Sequence, residues 1–335
     1  MNSSGPGKQH YLAAINNMVT DLPLLPSVVS QLLVLSPDDD RFLDEVYHLA
    51  RQDPTFSIRL VQYAARTCRS SQMAEKFSLK HAIARLGSRQ IAGIVASLSL
   101  MDSFEPNNQS DRNLWVHSVQ VAVIARKLIE VMPDLHLDSE IIYLGALLHD
   151  IGRFVIFQAV PQGPARIDES HWMTPTELLD AEVNICGVDH VRVGAEACAR
   201  WDIPKAISDI VANHHNYHLP LDTLDERLLC TRVGVTQIAD FYSVSLMNQA
   251  VEEVIEAGVD EMEPAGNGEE RLTEALAEAL DEIISANGSV LPEKYRAIIP
   301  HTLIMQRQQI VSETGTILDA LGIPEETDGA IMRHD

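Results

Sequence analysis

Several absences narrow the field before any motif is read. The 335 residues hold only four cysteines, Cys68, Cys186, Cys198 and Cys230, and no C-x-x-C pair. That excludes a zinc ribbon and gives no basis for a disulfide framework; the pattern fits reduced, partly buried thiols in a cytosol. Basic residues are scarce, 25 Lys and Arg against 48 Asp and Glu, for a net charge of −23. Nucleic-acid binding needs a concentrated basic surface, so it is excluded as the main task. Long apolar runs are also missing. The near-apolar run Ile91–Met101 contains two serines and is too short to span a bilayer, so no membrane role is expected. The N-terminus lacks a basic region followed by an apolar one, which predicts no export signal and a cytoplasmic protein. Alternating strand patterns and internal repeats are absent too.

What remains is helical. Of the residues 46% are hydrophobic but only 5% aromatic, as in an ordinary fold built from Ala, Leu, Ile and Val. Apolar positions recur at helical spacing in most of the chain, with start signals at Asp38–Asp40, Asp53-Pro54 and Thr174-Pro175-Thr176-Glu177. Residues 1–10 look like a loose tail, and Phe104–Ser110 is a polar break that can separate two lobes. Further helices are expected over Leu114–Val131, Ser139–His149, His190–Trp201, Pro204–Asn213, Leu224–Tyr242, Leu272–Ile284 and Thr302–Leu321, with a loop at Pro161–Pro164. The predicted fold class is all-α. The acidity is uneven: Glu252–Glu282 holds twelve acidic residues against the single Arg271, −11 in all, which leaves −12 for the rest. This segment reads as a solvated face, with partner docking as the alternative.

Seven His and Asp residues carry the chemistry. They are His117, the pair His149-Asp150 at the end of an apolar run, His190, the pair His214-His215, and Asp240. Mixed imidazole and carboxylate donors suit Mn, Fe, Zn or Co. Adjacent helical residues point about 100° apart, so His214 and His215 cannot easily chelate one ion together from a regular helix. One could reach a metal and the other a second metal or a substrate oxygen. Taken singly, a helical histidine is more often a surface residue or a hydrogen-bonded core residue. His10, His48, His81, His136, His171, His218, His301 and His334 are read that way.

The chain resembles the bacterial HDOD proteins, a regulatory branch of the HD metal-dependent phosphohydrolase superfamily related to the HD-GYP enzymes. The resemblance rests on Leu22-Pro23-Leu24-Leu25-Pro26, Gln52-Asp53-Pro54 and Ala82–Gly87 in the first half. In the second half it rests on His117, Leu147–Arg153, Asp189–Gly194, Arg200–Pro204 and His214-His215-Asn216. It covers about residues 20–245 and implies a two-lobed helical bundle, with an N-terminal helical lobe over 21–104 and an HD-like lobe over 111–245; a disordered tail over 1–20 and an acidic helical extension over 246–335 are expected to flank it. It also implies a metal site. His117, His149, Asp150 and Asp240 would hold one ion and His190, His214 and His215 a second, with Asp150 bridging; one ion, or none, is the alternative.

Two departures from the HD-GYP enzymes bear on activity. Arg153 stands where they have lysine, and Asn216-Tyr217-His218-Leu219-Pro220 offers no Gly-Tyr-Pro loop. One expectation is therefore a cytoplasmic signalling protein acting through contacts with a signalling partner. The other is an active phosphohydrolase on a nucleotide or cyclic dinucleotide, with Asp150 and Arg153 as catalytic residues and Arg153 on phosphate. A purely structural scaffold is the third.

Overall fold

The computed structural model describes residues 6–21, 39–52, 83–84, 86–88, 91, 104–201, 203–257, 291–292 and 294–323. Among these residues there is no strand, and the fold is all-α. Most of the expected N-terminal lobe lies outside them, as do Leu272–Ile284 and nearly all of the acidic segment. The helices are α1 (Pro6–Asp21), α2 (Phe42–Gln52), α3 (Gln109–Glu130), α4 (Ser139–Leu148), α5 (Ile151–Ala159) and α6 (Gly163–Asp168). They continue with α7 (Pro175–Ile185), α8 (His190–Arg200), α9 (Lys205–Asn213), α10 (Leu224–Ala257), α11 (Lys294–Met305) and α12 (Arg307–Leu321).

The central element is α3. Its start is fixed by Asn108, whose side chain accepts from the Asp111 backbone N–H. Leu114, Trp115, Val119, Val121–Ala125 and Leu128 bury it on almost every side, the pattern of a helix that is core all round. Helices α4, α10 and α12 pack against it. Trp115 Nε1–H donates to the Phe104 carbonyl at 3.0 Å, and its ring meets Phe154 edge-on at 4.9 Å, fastening the start of α3 to α5. A second layer is made where α5 crosses α8 and α9 packs on α4 and α8. The capping box at Thr174 and Glu177 opens α7 as the sequence indicates.

Three expectations are corrected. Residues 6–21 are not a disordered tail but helix α1, because Tyr11, Leu12, Ile15, Met18 and Val19 recur at helical spacing and pack on α5 and α8. The Pro161–Pro164 loop is cut short by α6, which begins at Gly163 with proline in its first turn. The extension expected to begin at 246 is not separate either. Helix α10 runs through that boundary, and Leu303, Ile310, Ile317 and Leu318 of α11 and α12 join the same core. Among the described residues, Ile141–Ala159 is long and apolar enough to cross a membrane by length and composition, yet 83% of it is buried inside the protein. It is two helices broken at His149-Asp150.

The C-terminal helices are held by polar ties as well as apolar ones. Glu313 of α12 pairs with Arg126 and, at 3.1 Å, with the buried Lys127 of α3. Tyr242 Oη–H of α10 donates to the Leu303 carbonyl of α11 at 2.9 Å. Glu313→Gln removes the carboxylate that two cations share in a mostly dry setting, and breaking a buried pair on one side costs about 3 kcal/mol. Urea unfolding is expected to show a lower midpoint with an unchanged slope. An unchanged midpoint would mean that the pairing contributes nothing to the fold.

Candidate metal centre

The seven residues singled out in the sequence converge. His117 comes from the middle of α3 and Asp240 from α10. His149 and Asp150 occupy the break between α4 and α5, His190 is the first residue of α8, and His214 and His215 follow α9. Helix ends supply most of the set, so the adjacent pairs are free of the 100° constraint of a regular helix.

Two close approaches draw these ends together. A Cβ on Gly152 would lie 1.9 Å from the His190 carbonyl oxygen and 2.7 Å from the Gly194 nitrogen. A Cβ on Gly194 would lie 3.0 Å from Val211 Cγ1. Helices α5 and α8 therefore touch backbone to backbone at Gly152 and Gly194, which sets Asp150 beside His190. On the other side, Gly145 of α4 meets Ile210 of α9, where a Cβ would stand 2.4 Å from Cδ1, and this brings His149 beside His214.

Hydrogen bonds then aim the rings. His149 Nδ1–H donates to the Ala146 carbonyl at 2.7 Å, and His214 Nδ1–H to the Val211 carbonyl at 2.8 Å. His190 donates to Glu182 Oε2 twice, from Nδ1–H at 2.7 Å and from its backbone N–H at 2.8 Å. Each bond leaves Nε2 facing inward, the arrangement by which an outer carbonyl or carboxylate fixes the tautomer of a metal-binding histidine. At the centre is Asp150, only 3% exposed. Its Oδ1 lies 3.3 Å from His190 Nε2 and 3.7 Å from His214 Nε2. Its Oδ2 lies 3.8 Å from His149 Nε2 and 3.9 Å from His117 Nε2. Asp240 Oδ1 is 3.2 Å from His117 Nε2.

The result is two clusters that could each hold an ion: Asp150 with His190, His214 and His215, and His117 with His149 and Asp240. Within each cluster the donor atoms lie within 4.8 Å of one another. The two oxygens of Asp150 face the two clusters. Three features of the chain fit a cation here. His149 Nε2 is buried with no hydrogen-bond partner. The Nε2 atoms of His190 and His214 stand 3.1 Å apart although both Nδ1 atoms are already donors, so they must share a proton or oppose their lone pairs. Two carboxylates complete the set.

The electrostatics point the same way. Burial opposes ionisation of Asp150, yet His149, His190, His214 and Arg153 outweigh it and hold the carboxyl well below the usual carboxylate range. Burial opposes ionisation of Asp240 as well, and His117 is the main group that outweighs it and holds this carboxyl low. Burial pushes His149 down to about 4 and, with His214 and His190 nearby, His215 down to about 2. Both rings are therefore neutral at any ordinary pH. Burial would lower His190 too, but Glu182 and Asp150 overcome it and move this ring up.

Arg153, read from the sequence as a phosphate contact, lies 3.5 Å from Asp150 Oδ2 and 3.8 Å from Glu182 Oε1, its guanidinium over the Phe157 ring at 5.3 Å. Sequence reasoning missed Glu182, which is 0% exposed. A signal existed: Leu178, Ala181, Glu182 and Ile185 share one helical stripe, so the acid stands on the apolar face of α7. An acid on such a stripe needs a partner, and its partners are His190 and Arg153.

Gly152→Ala would force α5 and α8 apart, so it is expected to cost about 3 kcal/mol and to abolish any metal uptake. A Cβ on Gly234 of α10 would meet nothing within 4 Å, and Gly234→Ala is expected to be neutral or to stabilise by up to about 1 kcal/mol. Denaturant midpoints and metal content of both variants check this. For pH, His149 and His215 have folded values below the ordinary 6.5, so the unfolded chain binds more protons and metal-free stability falls as pH drops from about 6.5 toward 4. His190, raised, opposes this; its contribution is full below the ordinary value and fades as pH rises through its folded one. Two groups against one predict a net loss, measured by unfolding at pH 7.5, 6 and 5.

A family model for the HDOD domain matches residues 22–217. A Treponema pallidum protein of unknown character is 23% identical over 211 residues, 62% of this chain, and the match spans only 40% of that relative's length. The fold is shared with an HDOD domain protein of unknown function from Geobacter sulfurreducens, with a TM-score of 0.63, 22% identity, and 92% of this chain and 98% of the other covered. It is shared also with a Shewanella amazonensis protein described as a candidate phosphohydrolase (TM-score 0.61, 18% identity, 91% and 98% covered). A Marinobacter aquaeolei protein described as a candidate in signal transduction gives a TM-score of 0.60 at 17% identity, with 94% and 68% covered. With more than half of its length matched by the family model and an all-helical fold around a His/Asp cluster, the chain belongs to the HDOD domain family.

Proposed function

We propose that this chain is a regulatory protein of the bacterial cytoplasm that acts through protein contacts and holds a divalent transition metal in its buried His/Asp site. His117, His149, Asp150 and Asp240 would hold one ion; His190, His214 and His215, with Asp150 shared, would hold a second. Iron, manganese, zinc and cobalt all suit this mixed donor set. The observation that carries the metal reading is the convergence of the Nε2 atoms of His149, His190 and His214 on Asp150, each ring aimed by a hydrogen bond from its Nδ1. Bound there, a metal would supply a Lewis acid and lower the pKa of a water. The residues themselves bind and orient: Glu182 holds His190, and Arg153 balances the two buried carboxylates.

Arg153 also favours regulation over hydrolysis. Its charge is committed to Asp150 and Glu182 and its face to Phe157, so a phosphate would have to draw it away from a mostly buried setting. The lack of a Gly-Tyr-Pro sequence after His215 supports the same reading. One observation favours an active phosphohydrolase on a nucleotide or cyclic dinucleotide, with Asp150 and Arg153 as its catalytic residues: the carboxylate of Asp150 faces both clusters, as a bridging ligand would. The proposed partner surface is the acidic stretch Glu252–Glu282, and its chemistry calls for a basic protein face.

Untagged protein prepared with Mn or Fe, with and without air, is expected to retain one or two metal ions per chain by elemental analysis. Absence of stoichiometric metal in every preparation overturns the metal reading. Turnover of phosphodiesters and cyclic dinucleotides by the loaded protein is expected to equal that of Asp150→Ala. A higher rate in the wild type overturns the regulatory reading in favour of the hydrolase. Neutralising Asp260, Glu261, Glu263, Glu269 and Glu270 in the full chain is expected to remove its interactors, whereas an identical set would remove this role for the segment. Deleting the region beyond 250 is not an equivalent test, because α11 and α12 belong to the core.

A further inference from the structure

His117 differs from the other three inward-facing histidines in how it is held. Its Nδ1 meets no carbonyl or carboxylate. It lies 3.0 Å from Ser243 Oγ, and Ser243 Oγ–H in turn donates to Gln120 Oε1 at 2.8 Å. All three are buried, with Ser243 at 0% and Gln120 at 5% exposure. The four residues Asp240, His117, Ser243 and Gln120 stand in one file across the interface of α3 and α10, with Asp240 Oδ1 3.2 Å from His117 Nε2 and hydrogen bonds joining His117, Ser243 and Gln120. Two of them stand three apart on α3 and two stand three apart on α10, so each pair shares a helix face.

A hydroxyl, unlike a carbonyl, can either accept from Nδ1–H or donate to a bare Nδ1. Ser243 alone therefore does not choose the tautomer of His117. Gln120 chooses. A serine has one hydroxyl proton, and while Gln120 presents its oxygen, that proton points at Gln120 and Ser243 can only accept from His117. Nδ1 then carries a ring hydrogen, and Nε2, 3.2 Å from Asp240 Oδ1 and 3.9 Å from Asp150 Oδ2, is the nitrogen that a metal would take. Were Gln120 to present its amide N–H instead, Ser243 would donate to Nδ1, the ring hydrogen would move to Nε2, and a metal would have to displace it.

We infer that Gln120 and Ser243 are positioning residues that set which nitrogen of His117 faces the two carboxylates, and so decide whether the His117–His149–Asp240 cluster can take a metal. Part of this rests on the metal reading above; the tautomer itself does not. Neither residue stands out in the sequence as a ligand. Both lie on apolar stripes, Gln120 between His117, Val121 and Ile124, and Ser243 between Ala239, Tyr242 and Leu246.

The test begins with metal-free protein and the ring nitrogen resonances of His117, assigned by their loss in His117→Gln. Nδ1 is expected to be protonated in the wild type and in Gln120→Glu, which keeps an acceptor oxygen. In Gln120→Met, of similar shape but without the acceptor, Ser243 is free to donate to Nδ1 while the Asp240 carboxylate, 3.2 Å from Nε2, draws the ring hydrogen there, so Nδ1 is expected to be bare. A bare Nδ1 in the wild type, or an unchanged one in Gln120→Met, overturns the inference whatever the protein does with metals. The second measurement is titration of the same proteins with Mn. Affinity is expected to fall about 10- to 100-fold in Gln120→Met and in Ser243→Ala, the range for loss of a partner that orients a ligand, and to be retained in Gln120→Glu. Equal affinity in all four, with metal bound, overturns the positioning role; no uptake even by the wild type overturns the metal reading and leaves the nitrogen resonances to decide the tautomer. A role in packing alone would shift the unfolding midpoint of Gln120→Met and leave the His117 nitrogens where they are.

Discussion

The rest of the structure depends on one buried charge, the carboxylate of Asp150. An isolated carboxylate is strongly disfavoured inside a protein, so four helix segments must bring it partners. Helix α8 brings His190, the end of α9 brings His214, α4 ends in His149, and α3 contributes His117. Arg153, near the start of α5, supplies the permanent cation. The backbone contact of Gly152 with His190 and Gly194 is what lets this happen, since any side chain at Gly152 would hold α5 and α8 apart. The bundle can thus be described as a packing problem solved around one acid.

The outer groups sort into two kinds. His149 and His214 are aimed by carbonyls three residues before them, so their tautomers follow from local geometry and need no distant partner. His190 and His117 are aimed by side chains from other helices, Glu182 and Ser243. These two depend on tertiary packing, and they are where substitutions outside the ligand set can alter the site. The C-terminal helices matter for the same reason. Through Glu313 on Arg126 and Lys127, and Leu303 on Tyr242, they grip α3 and α10, the helices that carry His117, Gln120, Asp240 and Ser243.

Much of this is legible in the sequence. Helical periodicity points to the all-α class, and the capping box at Thr174 marks a real boundary. All seven His and Asp candidates, picked out by residue type and spacing, meet in one place. What stays hidden has physical causes. Helix α1 reads as a tail because its apolar face is thin, and it gains its stability against α5 and α8. The boundary expected at 245 disappears because α10 continues through it and α11 and α12 return to α3, a contact between residues 187 apart in sequence. Glu182, Gln120 and Ser243 escape a sequence reading because a polar residue on an apolar stripe declares that it needs a partner without saying which one.

The central claim is that the His/Asp cluster is a metal centre with imidazole ligands from several helices. X-ray absorption at the metal edge, on protein loaded with stoichiometric Mn or Fe and freed of excess ion, addresses it most directly. The account predicts an inner shell of mixed nitrogen and oxygen with the outer-shell scattering of several imidazole rings, diminished in Asp150→Ala. An all-oxygen shell without imidazole scattering, or metal that washes away from the wild type, would contradict it.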